Sequence, residues 1–552
     1  MVAEPTLGEV EGMVVCLRNA AAPGEDGITA PMLKASSTSI NYLHRLICLV
    51  WQQRKAPMQW KHALLVPLYK GKGDKRVCDN LRGISLLSIP GKAYAALLLR
   101  RLSQHLYSQL HEAQCGFVPG RGLTDASFVL QHLMSQSWEF AVPLYLAFID
   151  LRKAFDSVPR DVLWQVLRAY GVPPLLVELV SDLHTGTLAA VRLGSQKGEP
   201  FSVSCGVRQG CIIAPLLFNV FIDFVVRQAL ARMPSTCGVS FALRANGAPL
   251  PGSAAGDPSV PIPLLMYADD MALTCSSPLE LTHFLGVMDD VCAECGLCIN
   301  ASKTEVMAVG REGRTPPLPP IVLRGGPVKE VPRFKYLGTL ISANATCEAE
   351  INARIAKAGA AFHSLKYVWD SPLGVGLKSV VYITCVRTIL LFGGECWAPT
   401  AALESRLNTF HNRCLRRIVR VSRSDRHSST YLYDRCAEHS IPTHLSVLRL
   451  RQLGHVARML STRYPKLALG CRPPPTIAPQ PSAVPADTAD APRRLVRPGG
   501  RPRTRWFSIV DRDLAALAVS LGVSVSRLES LLLDRTEWRK AILSLLPRKR
   551  EF

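Results

Sequence analysis

Apolar positions along the chain repeat with two different periods. Two short apolar runs, residues 264–267 and 271–273, flank Ala268-Asp269-Asp270, and each has the length of a short buried strand. Together they predict a hairpin turning at Ala268-Asp269-Asp270, which pushes two adjacent carboxylates out of a sheet. Residues 146–149 make a similar run that leads into Asp150. Further strands are expected over 60–69, 82–87, 189–193 and 201–205, and strand–turn elements over 299–304 and 334–340. Helical spacing marks residues 9–56, interrupted by Ala22-Pro23-Gly24-Glu25-Asp26-Gly27, and also 90–111, a stretch from Thr124 with Thr124-Asp125 suited to its cap, 159–171, a stretch from Pro174, another near Pro215, 279–295, and most of 348–470. Residues 233–262 and 472–500 are rich in Pro, Ala or Gly without a period, and read as an insertion loop and an extended linker. Strands mixed with helices in this order define an α+β chain.

Charge narrows the partners. The 552 residues carry 65 Lys and Arg against 43 Asp and Glu, a net charge of +22 and a pI near 9.5, so the field of the protein favours polyanions and nucleic acid comes first. Met1-Val2-Ala3-Glu4-Pro5 has neither a basic nor an apolar leader pattern, and no apolar run reaches the ~18 residues of a membrane span. The expectation is an intracellular protein, nuclear or cytoplasmic, that is not secreted and has no membrane partner. Seventeen scattered cysteines fit reduced, buried thiols better than a disulfide framework. Cys292, Cys295 and Cys298 lack a second paired cluster, and Cys436, His439 and His444 lack a fourth ligand, so neither set is read as a zinc site.

Two aspartate-bearing strands carry the candidate chemistry. Asp150 precedes Asp269 by 119 residues; if their strands are neighbours, Asp150, Asp269 and Asp270 gather at one sheet edge. Adjacent like charges call for a cation, and hard carboxylate oxygens suit Mg²⁺. Two such ions about 3.5–4 Å apart support in-line phosphoryl displacement, here nucleotidyl transfer onto a 3′-hydroxyl. Residues 60–87 read as a basic hairpin around Lys70-Gly71-Lys72-Gly73-Asp74-Lys75, with Lys70 and Arg82 placed to hold a triphosphate. Gln209-Gly210, at a helix entrance, lets a flat base or sugar approach the backbone. At the C-terminal end Arg501, Arg503 and Arg505 alternate along an extended strip beside Trp506, expected to follow a phosphate backbone while the indole stacks on a base.

These motifs, in this order, resemble the reverse transcriptases of LINE-type non-LTR retrotransposons: Pro23-Gly24-Glu25-Asp26-Gly27, Pro67 to Asp74, Arg82-Gly83-Ile84-Ser85, Gly116-Phe117-Val118-Pro119-Gly120-Arg121, the Asp150 block, Arg208-Gln209-Gly210, Tyr267-Ala268-Asp269-Asp270, Gly296-Leu297 with Asn300 and Lys303-Thr304, and Tyr336-Leu337-Gly338. The resemblance implies a right-hand polymerase with fingers, palm and thumb that copies RNA into DNA, using an RNA template, a DNA primer and deoxynucleoside triphosphates. It implies Asp150 and Asp269 as ligands of both Mg²⁺ ions and Asp270 as their support. Phe155 would exclude a ribose 2′-hydroxyl, Gln209 and Gly210 would line the nucleotide and template, Arg82 and Lys70 would hold phosphates, and Lys303 would protonate pyrophosphate. Residues 334–340 resemble the primer grip. The expected organisation is an N-terminal helical segment (1–47), fingers and palm (48–342), a helical thumb and connection (343–471), the linker (472–500) and a basic, nucleic-acid-binding tail dispensable for chemistry (501–552). Such elements also encode an endonuclease; no acidic and histidine cluster precedes the fingers, so nicking would fall to a separate endonuclease. Ala214 stands where the family often has a small hydroxyl residue. Group II intron-type reverse transcriptases and viral RNA polymerases are the neighbouring readings, and an aromatic Phe155 disfavours the latter. The alternative from another class is a domesticated, non-catalytic nucleic-acid-binding copy, which has no chemical need for all three aspartates.

Overall fold

The computed structural model describes residues 2–71, 73–240, 260–310, 317–470 and 505–546. The expected linker therefore lies outside the described residues, as do Arg501, Arg503 and most of the 233–262 insertion. The chain begins with α1 (Leu7–Val15) and α2 (Ser37–Gln53), then β1 (His62–Tyr69), β2 (Leu81–Leu87), α3 (Ile89–Leu106) and α4 (Leu123–Phe140). It continues through β3 (Leu144–Ile149), α5 (Arg160–Ala169), α6 (Pro174–His184), β4 (Leu188–Leu193) and α7 (Ala214–Ala231) to the hairpin β5 (Leu264–Tyr267) and β6 (Asp270–Cys275). After α8 (Pro278–Glu294) come β7 (Glu305–Val309), β8 (Arg333–Tyr336) and β9 (Thr339–Ser342). The rest is helical: α9 (Glu348–Ser364), α10 (Val375–Tyr382), α11 (Ala401–Val419), α12 (Ile441–Ala457), α13 (Tyr464–Gly470), α14 (Trp506–Leu521), α15 (Val525–Leu531) and α16 (Arg535–Leu543).

Local chemistry sets the boundaries. Thr6 caps α1 by accepting the Glu9 N–H, while the Glu9 carboxylate accepts the Thr6 N–H at 2.9 Å, a reciprocal pair that satisfies two otherwise unpaired donors. The apolar run from Trp60 does not start as a strand: Pro57 opens one helical turn, Met58–Lys61, and β1 begins at His62. β1 then pairs antiparallel with β2 from Ala63↔Leu87 to Tyr69↔Leu81, and its other edge pairs parallel with β4. Arg82 is exposed on β2 of this sheet.

The palm sheet runs in the order Lys329–Glu330, β7, β3, β6, β5. β3 is its centre, and all six of its residues are buried, which explains an unbroken apolar run in place of alternation. α7 also fills the core. It is an 18-residue apolar helix, long enough to cross a membrane by length and composition, contrary to the expectation that no such segment exists. Two-thirds of it is buried inside the protein, so here its apolar faces serve packing.

A first core joins the N-terminal helices, the palm, α12 and the C-terminal helices; a second lies among α9, α10, α11 and the start of α12. Residues 505–546 are part of the first core. Trp506 is 4% exposed, with its ring edge-on to Phe128 of α4 at 4.9 Å and its Nε1–H donated to the Glu395 carbonyl at 2.7 Å. Trp538 is equally enclosed against α12, donating to the Leu450 carbonyl, and a side chain at Gly454 would collide with its indole. Asp513 accepts the buried Arg449 guanidinium at 2.7 Å. The indole of Trp506 is thus not available to stack on a base, which corrects that part of the tail's expected role.

Candidate active site

Register decides what the aspartates can do together. β3 and β6 are antiparallel neighbours with Ile149 opposite Met271, so one step further places Asp150 opposite Asp270 at the sheet edge. β5 and β6 close through Tyr267↔Asp270, leaving Ala268 and Asp269 as a two-residue turn. Asp270 is therefore the first residue of β6 and lies outside the turn. Ala268 takes a left-handed φ of +57°, an uncommon state for a residue with a Cβ that the surroundings must hold.

Asp269 and Asp270 lie within reach of the Asp150 charge. Burial and then the charges of Asp269 and Asp150 push Asp270 up to about 6. Asp269 is raised by burial and by Asp150, with Arg82 opposing the rise; that opposition puts Arg82 within electrostatic reach of the turn. Asn300 donates to Asp150 Oδ2 at 3.2 Å and Lys303 Nζ lies 3.5 Å from the same oxygen. Asn300 was not singled out from sequence as a site residue; the Asn300-Ala301-Ser302-Lys303 turn that brings both groups to Asp150 was the available signal.

The residues expected from sequence to line a nucleotide fall on three neighbouring elements. Phe155 sits in the helical turn after β3, half-buried and stacked on Phe218 of α7 with centroids 4.2 Å apart. Gln209 accepts the Ser85 N–H of β2 through its carbonyl, and its side chain reaches the Asp156 carboxylate at 3.4 Å. Gly210 has φ +106°, and a Cβ there would lie 2.7 Å from the Ser85 carbonyl oxygen, so only glycine lets this loop pack against β2. Arg82 is exposed on β2 three residues from Ser85. Lys70 is not brought to this group in the same way: its Nζ donates to the Asp79 carbonyl at 2.8 Å and closes its own hairpin.

A divalent ion has a chemical fit here but no closed cage. Among the described residues no group of three or more Asp, Glu, His or Cys side chains is close enough to hold a metal by itself. The donors are nonetheless hard oxygens, and the burial and mutual repulsion that raise Asp269 and Asp270 are what a bound cation offsets. Mg²⁺ is commonly bound by one or two carboxylates with substrate phosphates supplying other ligands. The cysteine sets behave otherwise: burial raises Cys292 to about 12, and His444 is engaged by Glu438 at 2.9 Å.

A sheet edge with three carboxylates, faced by Arg82 of β2 and the glycine-bearing Gln209-Gly210 loop, has the layout of a polymerase palm. Residues 70–341 match the family model described as "Reverse transcriptase (RNA-dependent DNA polymerase)", so the chain carries a reverse transcriptase domain. It is 26% identical over 410 residues to the "Probable RNA-directed DNA polymerase from transposon BS" of Drosophila melanogaster, covering 72% of this chain and 43% of that protein. It is 28% identical over 293 residues to the "Retrovirus-related Pol polyprotein from type-2 retrotransposable element R2DM" of the same organism, covering 53% and 25%. The "RNA-directed DNA polymerase from mobile element jockey", also of Drosophila melanogaster, is 23% identical over 431 residues, covering 75% and 44%. The chain thus spans less than half the length of these curated relatives. Among solved structures, "apo telomerase from Candida Tropicalis truncated from C-terminal domain" matches at 12% identity with a TM-score of 0.35, covering 52% of this chain and 55% of that one, a likeness too distant to bear weight.

Proposed function

We propose that this chain copies an RNA template into DNA by extending a DNA primer, with Asp150 and Asp269 holding two Mg²⁺ ions and Asp270 supporting them. The observation that carries the reading is the β3–β6 register, which sets Asp150 opposite Asp270 and beside the Ala268-Asp269 turn within a reverse transcriptase domain. The ions supply charge neutralisation on the phosphates and a more acidic 3′-hydroxyl. The chain's own residues do the rest. Asn300 orients the Asp150 carboxylate, Arg82 offers a guanidinium to the triphosphate, and Lys303, 68% exposed beside Asp150, is placed to give a proton to departing pyrophosphate. Gln209 and Gly210 line the base and sugar, and Phe155 fills the volume a 2′-hydroxyl needs. Lys70 serves the hairpin first and phosphate second.

The test is primer extension on RNA and DNA templates with purified protein. Asp150→Asn or Asp269→Asn should lower the rate at least about 100-fold, since metal-assisted charge stabilisation contributes several kcal/mol. Extension at wild-type rates in either variant would refute the assignment.

A further inference from the structure

The turn that carries Asp269 does not hold itself. Its backbone is gripped by residues 113–116, a segment just before α4 that runs beside β5. Cys115 N–H donates to the Met266 carbonyl at 2.8 Å and Met266 N–H donates to Ala113 at 2.9 Å. Between them Gln114, wholly buried, turns its amide onto the turn: Oε1 accepts the Ala268 N–H at 2.8 Å and the Gly116 N–H at 2.8 Å, and Nε2 faces the Ala268 carbonyl at 3.4 Å. Both amide ends thus bind the one turn residue that stands in left-handed φ without being glycine. Gly116 closes the grip. A Cβ at that position would lie 2.4 Å from Ala268 N and 2.9 Å from the Tyr267 carbonyl carbon.

The segment is anchored from behind as well. Asn219 of α7 donates to the Gly116 carbonyl at 2.8 Å, and Arg121 donates to the Gln114 carbonyl at 2.9 Å. Arg463, just before α13, pairs with Glu112. A side chain whose polar atoms are spent on a strained turn, on a segment fixed from three sides, is built to set the position of that turn. From these contacts we infer that Gln114 is a positioning residue for nucleotidyl transfer: it fixes the Ala268 backbone and through it the aim of Asp269 and Asp270. It acts through the turn and does not touch substrate. This rests on the polymerase reading above.

The experiment compares single-turnover extension by full-length wild type, Gln114→Met, Gln114→Glu and Gly116→Ala, each with its folded fraction measured by unfolding. Gln114→Met keeps the length and removes the acceptor; its kcat should fall at least about 10-fold, while primer–template Kd stays within about 3-fold, because the loss lies in transition-state alignment. Gln114→Glu keeps an oxygen acceptor for both N–H groups and should recover much of that loss. Gly116→Ala, which displaces the turn sterically, should reproduce the kcat defect. Leu97→Ala in α3 serves as a control for general core damage and should lower stability without changing kcat per folded molecule. The inference is overturned if folded Gln114→Met extends within 2-fold of wild type, if its defect lies wholly in primer–template Kd, or if the Glu and Met variants fail equally. A wild-type chain with no extension at all would instead overturn the polymerase reading.

Discussion

Trp506→Ala separates two roles for the C-terminal residues. The indole is 4% exposed, edge-on to Phe128 at 4.9 Å and to His132 at 5.5 Å, and it spends its N–H on the Glu395 carbonyl. Removing a buried Trp costs about 3–5 kcal/mol, and the orphaned carbonyl adds about 1 kcal/mol. The docking of α14 on α4 should therefore weaken by about 4–6 kcal/mol, a factor of about 10³ to 10⁴ in its local opening equilibrium. Hydrogen exchange reads this directly as a loss of protection confined to residues 505–546 and the facing turn of α4. A base-stacking role makes a different demand: loss of one stacked base weakens single-strand binding by about 1–3 kcal/mol and leaves protein stability alone. Binding measured across a salt series on the folded variant should match wild type in affinity and slope. Unchanged exchange protection together with RNA affinity weakened 10-fold or more would refute the packing argument.

Two further outcomes follow from the site and the core. Phe155→Val should admit ribonucleotides, reducing discrimination between the sugars by about 10- to 100-fold in single-nucleotide incorporation while deoxynucleotide use changes little; unchanged discrimination would remove Phe155 from the gate. Acid stability should fail early because His132 and His184 are buried with Nδ1–H donated to a backbone carbonyl at 2.9 Å and Nε2 without a partner among the described residues. Burial lowers them to about 4 and about 3, with Arg208 adding to the effect at His184. Both stay neutral when folded and protonate near 6.5 when unfolded, so their contribution is complete above pH 6.5 and declines as pH falls toward 4. At pH 5 each costs about 2 kcal/mol, which urea titrations at pH 7 and pH 5 would register; equal midpoints would contradict it.

The candidate carboxylates were legible in the sequence because they depend on local pattern. An apolar run ending in Asp150 and a second pair of runs around Asp269-Asp270 read as strands delivering carboxylates to a sheet edge, whereas the close approach of Gly210 to Ser85 shows only in the tertiary structure. Pairing was not local. Which strand neighbours which, and that Asp150 meets Asp270 in register, follows from β3 lying between β7 and β6, a choice made by burial of both sheet faces. The same holds for Gln114: nothing in Gln114-Cys115-Gly116 distinguishes a loop from a grip, since Ala268, the turn residue it holds, lies 154 residues away. Trp506 shows the limit most plainly. Beside alternating arginines an indole reads as a stacking platform, yet whether an aromatic ring faces solvent or a core depends on the surface opposite it, and here α4 supplies Phe128 and His132. Sequence determined which groups are present and the local shapes they favour; only long-range packing decided which of them face one another.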